Sequence, residues 1–319
     1  MVAALLAAVL CGLGISACGD GAEPGAPQGA TLVLDFQPNA VHAGLYAAEA
    51  RGYFKEEGLD LAIREPSSSA DGAKLLETGR AEFAILDIND FGIARERGLD
   101  IVAIAAIVQR PLASVIAADR DEIRTPADLS GRTVGVTGVP SDDAVLDTVL
   151  AAGGLAPDAV DRQTIGFQSV PLIAAGTVDA ATAFWNAEGV DLAREGIPIR
   201  EFRVDEFGAP QYPELIVATA SETGNEGVAC DFTRGLERGY NALSEDPEAA
   251  LDDLLHGVTT LEPESQRAQL DALTAAKAFA SSRLSQSATD AWIEWASAHS
   301  IIAQPEPLAA AFDPPLCGP

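Results

Sequence analysis

Asp35-Phe36-Gln37-Pro38-Asn39-Ala40-Val41-His42-Ala43-Gly44-Leu45-Tyr46, followed by Gly52-Tyr53-Phe54-Lys55-Glu56-Glu57-Gly58-Leu59-Asp60, is the stretch on which the reading of this chain turns. Just upstream, Thr31-Leu32-Val33-Leu34 reads as a short buried strand. Pro38 and Asn39 break it, and a helix-compatible run follows from about Ala43 to Arg51. Polar and aromatic side chains therefore fall on the loop after a strand, beside a helix N-terminus. That is where open α/β sheets bind ligands.

The same alternation continues along the chain. Residues 81–86, 101–107, 112–118, 133–136, 180–185 and 214–219 read as buried strands. Residues 141–152, with Pro140 before them, and 169–176 read as helices, and from Asp231 onward the pattern is helical. Trp292 and Trp295 lie three apart on one helix face and read as core. The fold class is α/β, with helices on both sides of the sheets. No repeat of solenoid period is evident.

A chain of 319 residues, 48% hydrophobic and 21% charged, can bury a large core, and at this length two lobes are expected. The formal net charge of −28 argues against nucleic acid and anionic lipid headgroups as partners, because so acidic a surface repels both. Residues 2–17 are almost wholly apolar or small, and Ile15-Ser16-Ala17-Cys18 fits a bacterial lipobox. The expectation is a signal peptide over 1–17, lipid on Cys18 and a flexible tether over 18–29, rich in Gly, Ala and Pro. No Lys or Arg precedes the apolar core, which departs from the usual export signal and leaves open a start codon upstream of Met1.

Cys11 lies in the apolar run, so Cys230 and Cys317 remain for the exported domain, either bridged or as two buried thiols. His42, His256 and His299 are far apart in sequence and no Cys/His spacing indicates a metal. There is no nucleophile elbow or phosphate-binding loop, so no catalytic residue and no cofactor is assigned.

The opening stretch resembles that of type II periplasmic solute-binding proteins, in the branch that handles pyrimidine precursors of thiamine and is related to alkanesulfonate-binding proteins. In that branch an aspartate, an aromatic residue, Pro-Asn and a nearby His open the chain, here Asp35, Phe36, Pro38-Asn39 and His42. Residues 125–136 are similar to the entry into the second lobe of many binding proteins. Gly138-Val139-Pro140-Ser141-Asp142-Asp143 opens the next helix, where Ser141 and Asp142 serve either as helix caps or as ligand contacts. Phe184-Trp185-Asn186-Ala187-Glu188-Gly189 closely resembles the tryptophan-asparagine-x-glutamate-glycine passage of pyrimidine-precursor binding proteins.

The resemblance implies two lobes around a ligand cleft, residues 30–115 with 216–319 and residues 116–215. Two hinge crossings are expected near Ala113–Ala118 and Leu215–Ala220. It implies a monomeric lipoprotein at the outer face of the cell membrane that delivers a small heterocycle to an ABC permease and its ATPase. The ligand expected is hydroxymethylpyrimidine or formylaminopyrimidine. The alternatives are a riboflavin-like heterocycle or an alkanesulfonate such as taurine.

The ligand set it implies is Asp35, Phe36, Asn39, His42, Asp87, Asp90, Pro140, Ser141, Trp185, Asn186, Glu188 and Tyr212. Within it, Trp185 stacks on the ring opposite Phe36 or Tyr212, and Glu188 accepts from the ring amine. The carboxylates Asp35, Asp87, Asp90, Asp142 and Glu188 favour a neutral or cationic ligand over a sulfonate. Fungal relatives on this fold are enzymes that use pyridoxal phosphate and a sacrificial histidine. Leu86 stands at their cofactor lysine and Asp90 at their histidine, and a leucine forms no Schiff base.

Overall fold

The computed structural model describes residues 27–68, 71–119, 122–138, 140–221, 226–279 and 282–312. The lipobox with Cys18, the signal segment and Cys317 lie outside the described residues. The first half of the chain runs β1 (Gln28–Val33), α1 (Ala43–Ala50), α2 (Tyr53–Glu56), β2 (Leu59–Arg64), α3 (Asp71–Glu77), β3 (Phe83–Asp87), α4 (Ile88–Glu96) and β4 (Ile101–Val108). A second series follows: β5 (Ala113–Ala118), β6 (Thr133–Val136), α5 (Pro140–Ala152), β7 (Asp161–Thr164), α6 (Ser169–Ala175), β8 (Ala180–Phe184), α7 (Glu188–Arg194) and β9 (Ile199–Arg203). The chain then returns through β10 (Leu215–Ala220) into α8 (Glu226–Glu245), α9 (Pro247–Gly257), α10 (Pro263–Ala275), α11 (Gln286–Ala298) and α12 (Glu306–Ala309).

Two five-stranded sheets result, in the orders β2-β1-β3-β10-β4 and β7-β6-β8-β5-β9. In the first, β1 runs parallel to β2 and β3 while β10 is antiparallel to β3 and β4. In the second, β6 runs parallel to β7 and β8 while β5 is antiparallel to β8 and β9. The odd strand in each sheet is the first one laid down after the chain passes over from the other. The segments read as crossings, Ala113–Ala118 and Leu215–Ala220, are thus sheet strands, and the passages lie just before them, at 109–112 and 204–214. Because β5 and β10 enter at the junction, their first residues sit beside the carboxyl ends of β3 and β8.

Strand alternation sends side chains to opposite faces of each sheet. Leu32, Phe83 and Ile85 join one apolar cluster, whereas Val33, Ala84 and Leu86 join another. In the second sheet, Val134, Val136 and Ala180 face one way and Ala181 and Ala183 the other. Trp292 and Trp295 are buried core, as their spacing indicated, and the Trp292 indole N–H donates to Asn89 Oδ1 at 2.8 Å. Cys230, buried on α8, is disulfide-bonded to a partner outside the described residues.

Helix α8 covers one face of the first sheet by lying very close to α1 and α2. Phe232 stacks between Phe83, at 4.1 Å, and Phe54, at 5.3 Å. The Tyr240 hydroxyl donates to the carbonyl of Val41 at 2.7 Å. Glycines four apart on α8 allow this approach: a Cβ on Gly235 would stand 2.6 Å from the Phe54 ring, and one on Gly239 would stand 2.7 Å from Ala48 Cβ and strike the carbonyl of Gly44. Gly239→Ala should lower stability by about 1–3 kcal/mol through overpacking. The urea midpoint should drop with the slope of the transition unchanged, and a midpoint equal to wild type would refute the close crossing.

Candidate ligand-binding cleft

The strand ends of both sheets meet at one cleft. The first sheet and its connections contribute Asp35, Phe36, Asn39, Ile85, Leu86, Asp87, Asp90 and Leu215 to its wall. The second contributes Ala113, Ser114, Thr137, Ser141, Asp142, Val145, Phe167, Thr182, Ala183, Phe184, Ala187 and Glu188. No Lys, Arg or His is among these described lining residues.

The loop after β1 is fixed by its own side chains. Asn39 caps the turn at Ala40–His42: its Oδ1 accepts the Val41 N–H at 3.0 Å and its Nδ2 donates to the Gln37 carbonyl at 3.1 Å. The Asn39 N–H donates to His42 Nδ1 at 3.1 Å, so the ring proton sits on Nε2 and is given to Asp35 Oδ1 at 2.9 Å. His42 is fully buried behind the wall; it orients Asp35 and does not line the cleft.

Asp87 ends β3 and caps α4, its Oδ1 accepting the Asn89 N–H at 2.7 Å. Behind it, fully buried Glu214 accepts the N–H groups of Leu112, at 2.6 Å, and Ala113, at 3.3 Å. Burial and the neighbouring Glu214 charge push Asp87 well above the usual carboxylate range. Burial also raises Glu214, against the pull of its backbone donors. Of the two, Asp87 is raised the further, because the backbone donors of Leu112 and Ala113 favour the charged form of Glu214.

The other carboxyls are raised for the same first reason. Burial, with the charges of Asp87 and Asp142, brings Asp90 to about 8. Burial brings Glu188 to about 7, although its Oε2 accepts the Phe184 N–H at 3.1 Å. Asp142 is raised by burial while Thr137 donates to it through both its backbone N–H and its hydroxyl, the latter at 2.6 Å.

The aromatic wall differs from the one expected. Trp185 is 1% exposed and does not line the cleft. Strand β8 ends at Phe184, which faces the cleft, and the next residue turns under the crossing. There the indole N–H donates to the Pro111 carbonyl at 3.0 Å and the Arg203 guanidinium covers the ring at 4.2 Å. Tyr212 is likewise buried, stacked on Trp295 at 5.6 Å. Neither ring can stack on a ligand. Asn186 is fully buried away from the lining, and its side-chain amide makes no hydrogen bond among the described residues. Pro140 is the first residue of α5, and Ser141 lines the cleft from that helix's first turn.

The aromatic lining is Phe36, Phe167 and Phe184. Phe36 comes from the loop after β1 and Phe167 from the loop after β7. They meet edge to face across the cleft at 4.6 Å and 90°. Phe167, 40% exposed, is the one large hydrophobic side chain exposed among the described residues. Sequence reading missed it because β7, Asp161-Arg162-Gln163-Thr164, carries no apolar pattern. Recognising that edge strand would have put Gly166-Phe167 on a loop past a carboxyl strand end. Thr137, Thr182 and Ser114 were missed as well, and their types carry no signal by themselves.

Residues 39–250 match the family described as NMT1/THI5 like. The formylaminopyrimidine-binding protein of Halalkalibacterium halodurans is 35% identical to this chain, over 70% of this chain and 69% of its own length. A 4-amino-5-hydroxymethyl-2-methylpyrimidine phosphate synthase of Legionella pneumophila is 23% identical, over 70% of this chain and 71% of its own. Among solved structures, the alkanesulfonate-binding protein SsuA from Xanthomonas axonopodis pv. citri, bound to MOPS, superposes with a TM-score of 0.72 at 17% identity, covering 90% of this chain and 98% of that one. The fold of this chain is that of the periplasmic binding proteins.

The raised carboxyls make stability depend on pH. Asp90 and Glu188 bind protons more tightly folded than unfolded, where such groups titrate near 4. Each therefore adds stability that is complete below about pH 4 and is lost as pH rises through about 7 for Glu188 and about 8 for Asp90. The thermal midpoint of the ligand-free protein should fall between about pH 5 and pH 9. The double variant Asp90→Asn with Glu188→Gln should flatten that slope, and an equal slope in both proteins would contradict the assignment.

Proposed function

The chain belongs to the NMT1/THI5-like family, and from that premise we propose that it captures a thiamine pyrimidine precursor of the hydroxymethylpyrimidine or formylaminopyrimidine type outside the cytoplasm and delivers it to an ABC importer. The observation that carries this reading is the lining: three phenylalanines and five carboxyl groups with no basic side chain among the described residues. A flat ring suits the aromatic wall, and amine N–H groups suit carboxyl acceptors. A sulfonate would meet carboxyl oxygens where it needs donors, which disfavours an alkanesulfonate despite the shared fold.

Glu188 is the acceptor for the ring amine, with Phe36, Phe167 and Phe184 in the place first given to Trp185. Leu86, at the position of the fungal enzymes' lysine, is an aliphatic patch of cleft wall, which favours binding over catalysis. The lobe boundaries expected at 115 and 215 shift to the passages, so that residues up to 108 with those from 215 onward form one lobe and residues 113–203 the other. They close by bending at the two crossings. Lipid on Cys18 holds the protein near its permease, at the outer face of the membrane.

Calorimetry with hydroxymethylpyrimidine, its formylaminomethyl analogue, riboflavin and taurine tests the ligand class. Glu188→Ala should weaken an aminopyrimidine by about ten- to a hundredfold, the equivalent of about 1.5–3 kcal/mol for a charged hydrogen bond. Tight taurine binding, or undiminished pyrimidine affinity in the variant, would overturn the reading.

The edge-to-face pair of Phe36 and Phe167 joins the two lobes over the ligand. Such pairs contribute about 0.5–1.5 kcal/mol. In stopped-flow measurements, Phe167→Ala should speed ligand dissociation about two- to tenfold with little change in the association rate. A purely slower association would count against closure through this contact.

A further inference from the structure

Four of the five carboxyl groups in the cleft are already engaged. Asp35 Oδ1 accepts from His42 Nε2 at 2.9 Å, and Asp87 Oδ1 from the Asn89 N–H at 2.7 Å. Asp142 Oδ2 accepts from the Thr137 hydroxyl at 2.6 Å, and Glu188 Oε2 from the Phe184 N–H at 3.1 Å. Asp90, in the first turn of α4, stands apart. Its carboxyl is met by the Ser141 hydroxyl, with no backbone donor or basic side chain bonded to it among the described residues. It lines the cleft with its hydrogen-bonding capacity largely unspent.

Resting on the heterocycle reading above, we infer that Asp90 meets the ligand as a neutral carboxylic acid, its O–H donating to a ring nitrogen and its carbonyl oxygen accepting from the neighbouring exocyclic amine. A carboxylate presents only acceptors and would set a lone pair against the lone pair of the ring nitrogen, whereas the neutral acid matches that edge donor to acceptor and acceptor to donor. An exocyclic amine has two N–H groups, so one can face Asp90 and the other Glu188. The pair of carboxyls then selects rings in which an amine sits beside an unsubstituted ring nitrogen.

The surroundings keep the proton on Asp90. Asp87 lies beside it at the end of β3 with Glu214 behind, Asp142 faces it from α5, and Asp35 and Glu188 lie in the same cleft lining. Arg97, beyond the C-terminal end of α4, is the opposing cation, and its pull is smaller than that of burial or of Asp87. Burial leads these effects, and together they bring the group to about 8, so the acid form prevails at neutral pH.

The test is the affinity for hydroxymethylpyrimidine between about pH 6 and pH 10. Affinity should rise as Glu188 ionises near pH 7, then fall about tenfold per pH unit above about pH 8 as Asp90 ionises. Asp90→Asn, whose amide keeps one donor and one acceptor, should bind within about threefold of wild type at pH 7 and lack the alkaline fall. Asp90→Ala should lose about ten- to a hundredfold at pH 7. Infrared spectra of the ligand-free protein give a readout that needs no ligand: Asp90→Asn should remove protonated-carboxyl absorption at pH 7. Unchanged absorption overturns the inference, as does a wild-type affinity that stays level to about pH 10, or a folded Asn variant as weak as the Ala variant. In each of these cases the heterocycle reading survives if wild type binds. Wild type that binds no aminopyrimidine at any pH removes both.

Discussion

Glu214 is the side chain on which the two-sheet arrangement depends. It ends the second passage between the sheets, and its carboxylate accepts the N–H groups of Leu112, which ends the first, and of Ala113, which opens β5. Its own carbonyl accepts the N–H of Ile88, the residue that opens α4. One residue thus joins the start of β5, the start of β10 and the end of β3. The neighbouring Trp185 adds two bonds to the same passage, its backbone N–H to the Leu112 carbonyl at 3.1 Å and its indole N–H to Pro111. A buried charge is tolerated here because backbone donors replace water, and because Asp87 beside it can carry a proton. The stack of Arg203 on Trp185 stiffens the passage rather than the ligand site.

Five carboxyl groups in one cleft would repel each other strongly if all were ionised, in a chain whose net charge is already −28. The structure relieves this in three ways. Asp35 is paired to a buried histidine, Asp142 is met by both donors of Thr137, and burial raises Asp87 well above the usual carboxylate range, Glu188 to about 7 and Asp90 to about 8. A site of this kind holds protons at neutral pH. It is hostile to anions and well matched to groups that carry N–H donors beside lone pairs.

The strands buried on both faces were legible in the sequence because their apolar runs are continuous. The segments read at 101–107 and 133–136 fall on β4 and β6 within one residue. Three of the four edge strands, β2, β7 and β9, were not, because they lack a continuous apolar run and carry charge, as in Asp161-Arg162-Gln163-Thr164 and Ile199-Arg200-Glu201-Phe202-Arg203, whereas the fourth edge, β4, is apolar throughout. The carboxyl lining could be named because Asp35, Asp87, Asp90, Asp142 and Glu188 fall in the passages that carry the family resemblance. The aromatic lining could not. Whether Phe184 or Trp185 faces the cleft depends on the residue at which β8 stops pairing, a boundary set by its partner β5, where Ala113 stands opposite Phe184.

The same register explains how one fold can carry different ligands. The wall of the cleft is made of strand ends and the first turns of helices, while the crossings and sheet centres lie behind it. Exchanging Asp87, Asp90, Asp142 or Glu188 for donor-bearing residues would alter the charge of the cleft without touching the apolar faces of either sheet. A fold shared at 17% identity therefore leaves the chemistry of the cleft free to differ. Glu214 is the exception among the acidic residues, since its carboxylate holds the passage itself. Its replacement would be felt in the passage between the sheets before it was felt in the lining of the cleft.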